Sequence, residues 1–72
     1  MHRRDQPARY EIRVRGLLGP TLLAGFPGLR AQARAGDTVL AGELRDQAAL
    51  HGVLAQIEAL GLELLEVRRQ GS

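Results

Sequence analysis

The sequence has no cysteine, no lysine and no tryptophan, and only 3% of it is aromatic. Absence of cysteine excludes disulfide staples and cysteine-ligated metals. Absence of lysine makes all ten basic residues arginine, set against eight acidic ones for a net charge of +2. So small an excess does not by itself point to nucleic acid, and the Ala-, Leu- and Arg-rich composition fits a GC-rich coding bias. Long apolar runs are missing too: none approaches the roughly 20 residues of a membrane-spanning helix. The opening MHRRDQPAR is charged but no uninterrupted apolar segment follows it, so no secretory signal is expected. A cytoplasmic protein without membrane attachment is the expectation.

Seventy-two residues make one domain. A chain this short buries a modest share of its surface, and small domains without staples often lean on a partner subunit. A homo-oligomer, in the simplest case a dimer, is therefore expected on size alone.

Residues 1–8 lack periodicity and read as a frayed arm. In RYEIRVRG, Tyr10, Ile12 and Val14 alternate with Arg9, Glu11, Arg13 and Arg15. Period two means a strand with one dry and one wet face, and Gly16 ends it. LLGPTLLAGFPGL, residues 17–29, predicts one or two helical turns opened by Pro20, with Leu22, Leu23 and Phe26 as an apolar patch and the GFPG turn as the stop. RAQARA, residues 30–35, suits an edge strand with a thin alanine face. Gly36-Asp37 marks a tight turn into the β-branched, apolar DTVLAGEL, so the two runs form a hairpin.

Asp46 is a good N-cap, since its carboxylate can accept hydrogen bonds from the free amides of a first turn. Leu50, Val53, Leu54, Ile57 and Leu60 then fall on one helical face. Gly61 stands where a left-handed C-terminal residue is wanted, with Leu62 folding back on the last turn. In LELLEVRR, Leu65 and Val67 are expected to face this helix, and Leu64, Glu66 and Arg68 the other way. A domain over residues 9–69 and a tail over 70–72 complete the division.

The element order is β-α-β-β-α-β, which predicts an α+β, two-layer ferredoxin-like plait with a short or irregular first helix. If residues 17–29 are irregular, the alternative is a β-β-β-α-β sandwich with the same core. Either way one sheet face is left bare, carrying Glu11, Arg13, Arg15, Leu64, Glu66 and Arg68. RNA-binding plaits place aromatic residues on that face for stacking, whereas here mixed Arg and Glu suit cross-strand pairing or a polar subunit interface.

The chemistry-bearing residues are few. A catalytic histidine wants a nucleophile and an orienting carboxylate, but the hydroxyls are only Thr21, Thr38, Tyr10 and the terminal Ser72. Zinc wants three or four ligands, and His2, the other histidine, sits in the arm. His51 therefore reads as a packing residue on the helix flank or a hydrogen-bond partner of Glu58. Gly52, inside the helix, costs about 1 kcal/mol relative to alanine, a loss explained either by another backbone, such as a second subunit's, coming close or by ordinary drift in a well-capped helix. Neither phosphate-binding glycine pattern is present. No catalytic residue, metal or cofactor is expected.

The run DQAALHGVLAQIEALGLELLEVRR, with YEIRVRG upstream, resembles a group of small bacterial stand-alone proteins of uncharacterised function. They share a strand ending R-V-R-G, then T-V-L-x-G, D-Q-A-A-L-H-G and L-G-L-x-L-L-x-V, and the resemblance covers residues 9–69. It implies no activity, but it gives Gln47, His51 and Gly52 more weight as family features. The element order is also similar to that of ACT-type regulatory domains, which bind small ligands between paired subunits. Three functions stand as expectations: a self-associating interaction module that engages another protein, a small-ligand sensor binding near the GFPG turn and Gly52, and an arginine-mediated nucleic-acid binder, the weakest of the three. Arg13, Arg15, Gln47, His51, Gly52, Leu64, Glu66 and Arg68 are the candidate interaction or ligand residues.

Overall fold

The computed structural model describes residues 7–70. Six elements follow in chain order: β1 (Ala8–Val14), α1 (Pro20–Leu23), β2 (Arg30–Arg34), β3 (Asp37–Leu44), α2 (Gln47–Ala59) and β4 (Leu64–Gln70). The strands form one antiparallel sheet in the order β2-β3-β1-β4. This is the topology of a ferredoxin-like plait with a short first helix. Most of the expected N-terminal arm, residues 1–6, and most of the tail, 71–72, lie outside the described residues. The domain's edges are slightly wider than expected, because Ala8 pairs with Leu44 and Gln70 with Arg9.

The alternation in β1 builds the core. Tyr10, Ile12 and Val14 all point under the helices, and Ile12 and Val14 are fully enclosed. Leu40 from β3, Leu50 and Ile57 from α2, and Phe26 from the α1 loop close the cluster. Burying each such side chain contributes about 1.5–3 kcal/mol. Phe26 is thus more than a patch residue beside a turn. It is the anchor that holds residues 24–29 on the sheet where α1 is too short to do so.

That segment is tied down at one further point. Gly42 is buried in β3, and a Cβ there would stand 2.8 Å from Leu29 Cδ2 and 3.0 Å from the Gly28 carbonyl oxygen. The glycine of T-V-L-x-G is therefore required by the close passage of the α1–β2 loop over the sheet.

α2 begins and ends as its residues dictate. Asp46 Oδ1 accepts from the Ala49 amide at 2.8 Å. At the other end the Gly61 amide donates to the Glu58 carbonyl and the Leu62 amide to the Ile57 carbonyl, with Gly61 at φ +74°. Those two bonds make a Schellman motif and satisfy carbonyls that a helix end leaves free. Leu60 departs from the expected stripe: it is the C-cap residue, and at 37% exposure it faces solvent.

Two local differences change which way side chains point. The β2–β3 turn is centred on Ala35 and Gly36, both at positive φ (53° and 84°), one residue earlier than Gly36-Asp37. The turn therefore releases Asp37 into β3. In β4 the register slips: Arg13 is opposite Glu66, but Val14 is opposite Leu64. Leu65 is the extra residue of a β-bulge, which bends a strand and re-aims its neighbours. Leu64 consequently shares the face of buried Val14, not that of Glu66 and Arg68.

Candidate functional site

Arg13 and Arg15 leave β1 near a loop that must turn back toward α1. Asp37, delivered by the hairpin turn, takes both the guanidinium of Arg13 (3.0 Å) and the Gly16 amide (3.1 Å) on its carboxylate. Those partners hold its pKa below the ordinary Asp value. The Gly16 hydrogen bond is the largest cause and the nearby Arg13 a further one, against the opposing effect of burial. Next in sequence, the buried Thr38 hydroxyl donates to the Gly16 carbonyl (2.7 Å) and accepts from the Leu18 amide (3.0 Å). Arg13, Asp37 and Thr38 together form a clamp on residues 16–18. Arg15 pairs instead with Glu63 at 2.8 Å, an exposed contact of small energetic weight.

The bare face is a lattice of opposite charges. Glu11 lies opposite Arg68, Arg13 opposite Glu66, and Arg34 opposite Asp37. Val39 sits among them, almost fully covered, at the floor of a shallow hollow of about 90 Å³ lined also by Glu11, Arg13, Arg34, Glu66 and Arg68. Among the described residues no aromatic side chain faces out here, since Tyr10 and Phe26 are both buried in the core. The cross-strand mixing expected of this face is present in the register.

The other candidates separate. Gln47 donates to the Tyr10 hydroxyl at 3.4 Å, so it satisfies the polar tip of a core residue. His51 and Gly52 are exposed on the outer side of α2. No hydrogen bond joins His51 to Glu58, and beyond Gly52's chain neighbours and its own helix backbone nothing among the described residues comes within 4 Å of a Cβ built on Gly52. Gly52 and residues 25–28, the two places paired in the ligand reading, stand apart from the hollow on the bare face, from a second beside Leu17 and Thr38, and from a third between α2 and β4. Leu64, through the bulge, joins Leu54, Ile57, Glu58, Gly61 and Leu62 around this third one, an open, mainly apolar groove of about 460 Å³. Leu60, Leu65 and Val67 add exposed apolar surface on the same side.

Sequence reasoning missed Asp37, Thr38 and Val67. A D-T pair directly after a hairpin turn is a usable signal, because it puts two short polar side chains at a strand's start. Val67 carried none beyond its alternation. Among the described residues no three of His, Cys, Asp and Glu are grouped to hold a metal. No helix among the described residues is long and apolar enough to cross a membrane.

Fold and surface together define a small ferredoxin-like α+β domain with a charge-laced open face and an uncovered apolar flank. Its family membership is shown directly: the chain belongs to the family described as a domain of unknown function, DUF8691, whose model matches residues 9–68. Comparison with curated proteins and with solved structures gave no match.

Proposed function

We propose that this domain is a non-enzymatic interaction module that works as a homodimer, joined along the side formed by α2 and β4. The observation that carries the reading is the exposure of Leu60, Leu64, Leu65 and Val67, at 37–42% each, beside the open groove. Soluble monomers rarely leave large contiguous apolar patches in water, and a second copy removes this one. The short, staple-free core supports the same reading, since association adds burial that a small domain lacks. A dimer leaves the charged open sheet face free to meet another protein. The cysteine-free sequence suits a reducing, cytoplasmic setting.

Sedimentation equilibrium across a wide concentration range tests it. The expected mass is twice 7.8 kDa at micromolar concentration. A mass of one chain throughout would overturn the reading.

The size of the groove supports a second reading, a small-ligand sensor of the ACT-like kind. About 460 Å³ falls within the usual range of ligand sites. A thermal-shift screen with amino acids and nucleotides separates the two, because a ligand of the native state raises apparent stability. Nucleic acid fits less well: Arg13, Arg15 and Arg68 each have a carboxylate within 3.5 Å or less, and the open face offers no stacking surface.

A further inference from the structure

Among the described residues the sheet has two open edges, β2 and β4, each paired on one side only. Such edges present unpaired amides and carbonyls that can template another strand. Self-pairing about a two-fold axis normal to the sheet keeps the helices of both copies on one side. It also brings one central residue opposite its own copy, with its neighbours facing each other in order. The two edges behave differently under that operation.

For β2, with sequence RAQAR, the axis through Gln32 sets Arg30 against the partner's Arg34, twice over. Only Gln32 and two alanines lie between them to offset the repulsion. Pairing β2 with its own copy about its centre is therefore unfavourable. For β4, with sequence LLEVRRQ, the axis through Val67 sets Glu66 against the partner's Arg68 and Arg68 against the partner's Glu66. On the helix side Val67 meets its own copy, and Leu65 comes under the aliphatic stem of the partner's Arg69. Moving the axis by one residue is unfavourable in both directions. An axis through Glu66 opposes two carboxylates, and one through Arg68 opposes two guanidinium groups. Like charges directly opposite destabilise a strand pair, so the register centred on Val67 is favoured over both neighbouring ones.

From this we propose that β4 is the dimer edge, pairing antiparallel with a second copy about Val67 and held in register by two reciprocal Glu66–Arg68 contacts. The sheet then becomes continuous through both copies, and the exposed Leu65 and Val67 are covered. This rests on the homodimer reading above and specifies its partner and geometry.

Mixing two charge variants tests it. Glu66→Arg and Arg68→Glu each place like charges opposite at two points of a homodimer, so each alone should dimerise at least about tenfold more weakly than wild type. Mixed one to one they should pair with each other. The arginine introduced at position 66 of one chain then meets the glutamate introduced at position 68 of the other, while the native Arg68 and Glu66 meet as before. Native mass spectrometry reads the heterodimer directly. Each variant also sets a like charge against Arg13 or Glu11 of its own sheet, so circular dichroism accompanies the experiment. Should either fail to fold, Glu66→Gln and Arg68→Gln decide: each alone should weaken the dimer, and mixing them should favour the heterodimer, in which one Glu66–Arg68 contact is kept. Variants that dimerise like wild type, or folded charge variants that do not pair when mixed, overturn this geometry while leaving a dimer through another face. A wild-type chain that stays monomeric removes the reading beneath it.

Discussion

Replacing Thr38 by valine keeps the side chain's shape and removes one hydroxyl. That hydroxyl is buried, with Thr38 only 4% exposed, and it serves the Gly16 carbonyl and the Leu18 amide together. Valine creates no cavity, so the cost comes from two backbone groups left without a partner in a partly covered loop. Each such group costs about 1–3 kcal/mol when fully buried. With the loop partly open to water, the lower end applies, and the sum is about 2 kcal/mol. For a domain of this size that lowers Tm by roughly 8–16 °C. Thermal unfolding by circular dichroism measures it, and urea unfolding should show a lower midpoint at unchanged slope. Thr38→Ser is the control: it keeps the hydroxyl and loses a methyl, at about 0.8 kcal/mol. A valine variant as stable as the serine variant would refute the clamp.

Gly52→Ala should stabilise the chain by about 1 kcal/mol, because nothing surrounds the site, while the dimer constant stays unchanged. A more stable chain that dimerises more weakly would move the contact to the outer face of α2. Ala35→Asn should raise the urea midpoint by up to about 1 kcal/mol in stability, since asparagine tolerates the left-handed backbone at φ 53°; an unchanged midpoint would count against that turn geometry. Asp37 has a lowered pKa in the fold, so its contribution is full above the ordinary carboxylate range and is lost as pH falls through the lower folded value. Wild type should therefore lose more Tm than Asp37→Asn between about pH 5 and pH 2, and parallel curves would contradict the Asp37–Gly16 bond.

Much of the fold could be read from periodicity alone. Tyr10, Ile12 and Val14 alternate because β1 is a central strand with one dry face, and α2 announces its start at Asp46 and its end at Gly61. What could not be read depends on contacts distant in sequence. Gly42 looks like any strand glycine until Leu29 is seen lying over it, and Phe26 looks like part of a turn until the core is assembled. Leu64 is misplaced by the sequence for a different reason. A bulge breaks the period of two, and the outward reading of Leu64 needs the alternation of β4 to run unbroken. The same bulge moves Leu64 into the α2–β4 groove and leaves Glu66, Val67 and Arg68 as the regular part of the edge. Of the candidate residues, Arg13 and Gln47 serve the fold, while Glu66 and Arg68 remain with the proposed contact.

The dimer edge is tested most directly by a single cysteine at position 67. With no native cysteine to compete, Val67→Cys places two thiols across the proposed axis. Directly opposed residues of an antiparallel pair have Cα atoms about 4.5–5.5 Å apart, within reach of a disulfide. Mild oxidation should convert the variant to one covalent dimer on a non-reducing gel. Arg68→Cys, whose copies would stand about 7–8 Å apart on a diagonal, should link poorly. Efficient linking at 68 with none at 67 would contradict an antiparallel β4 pair centred on Val67.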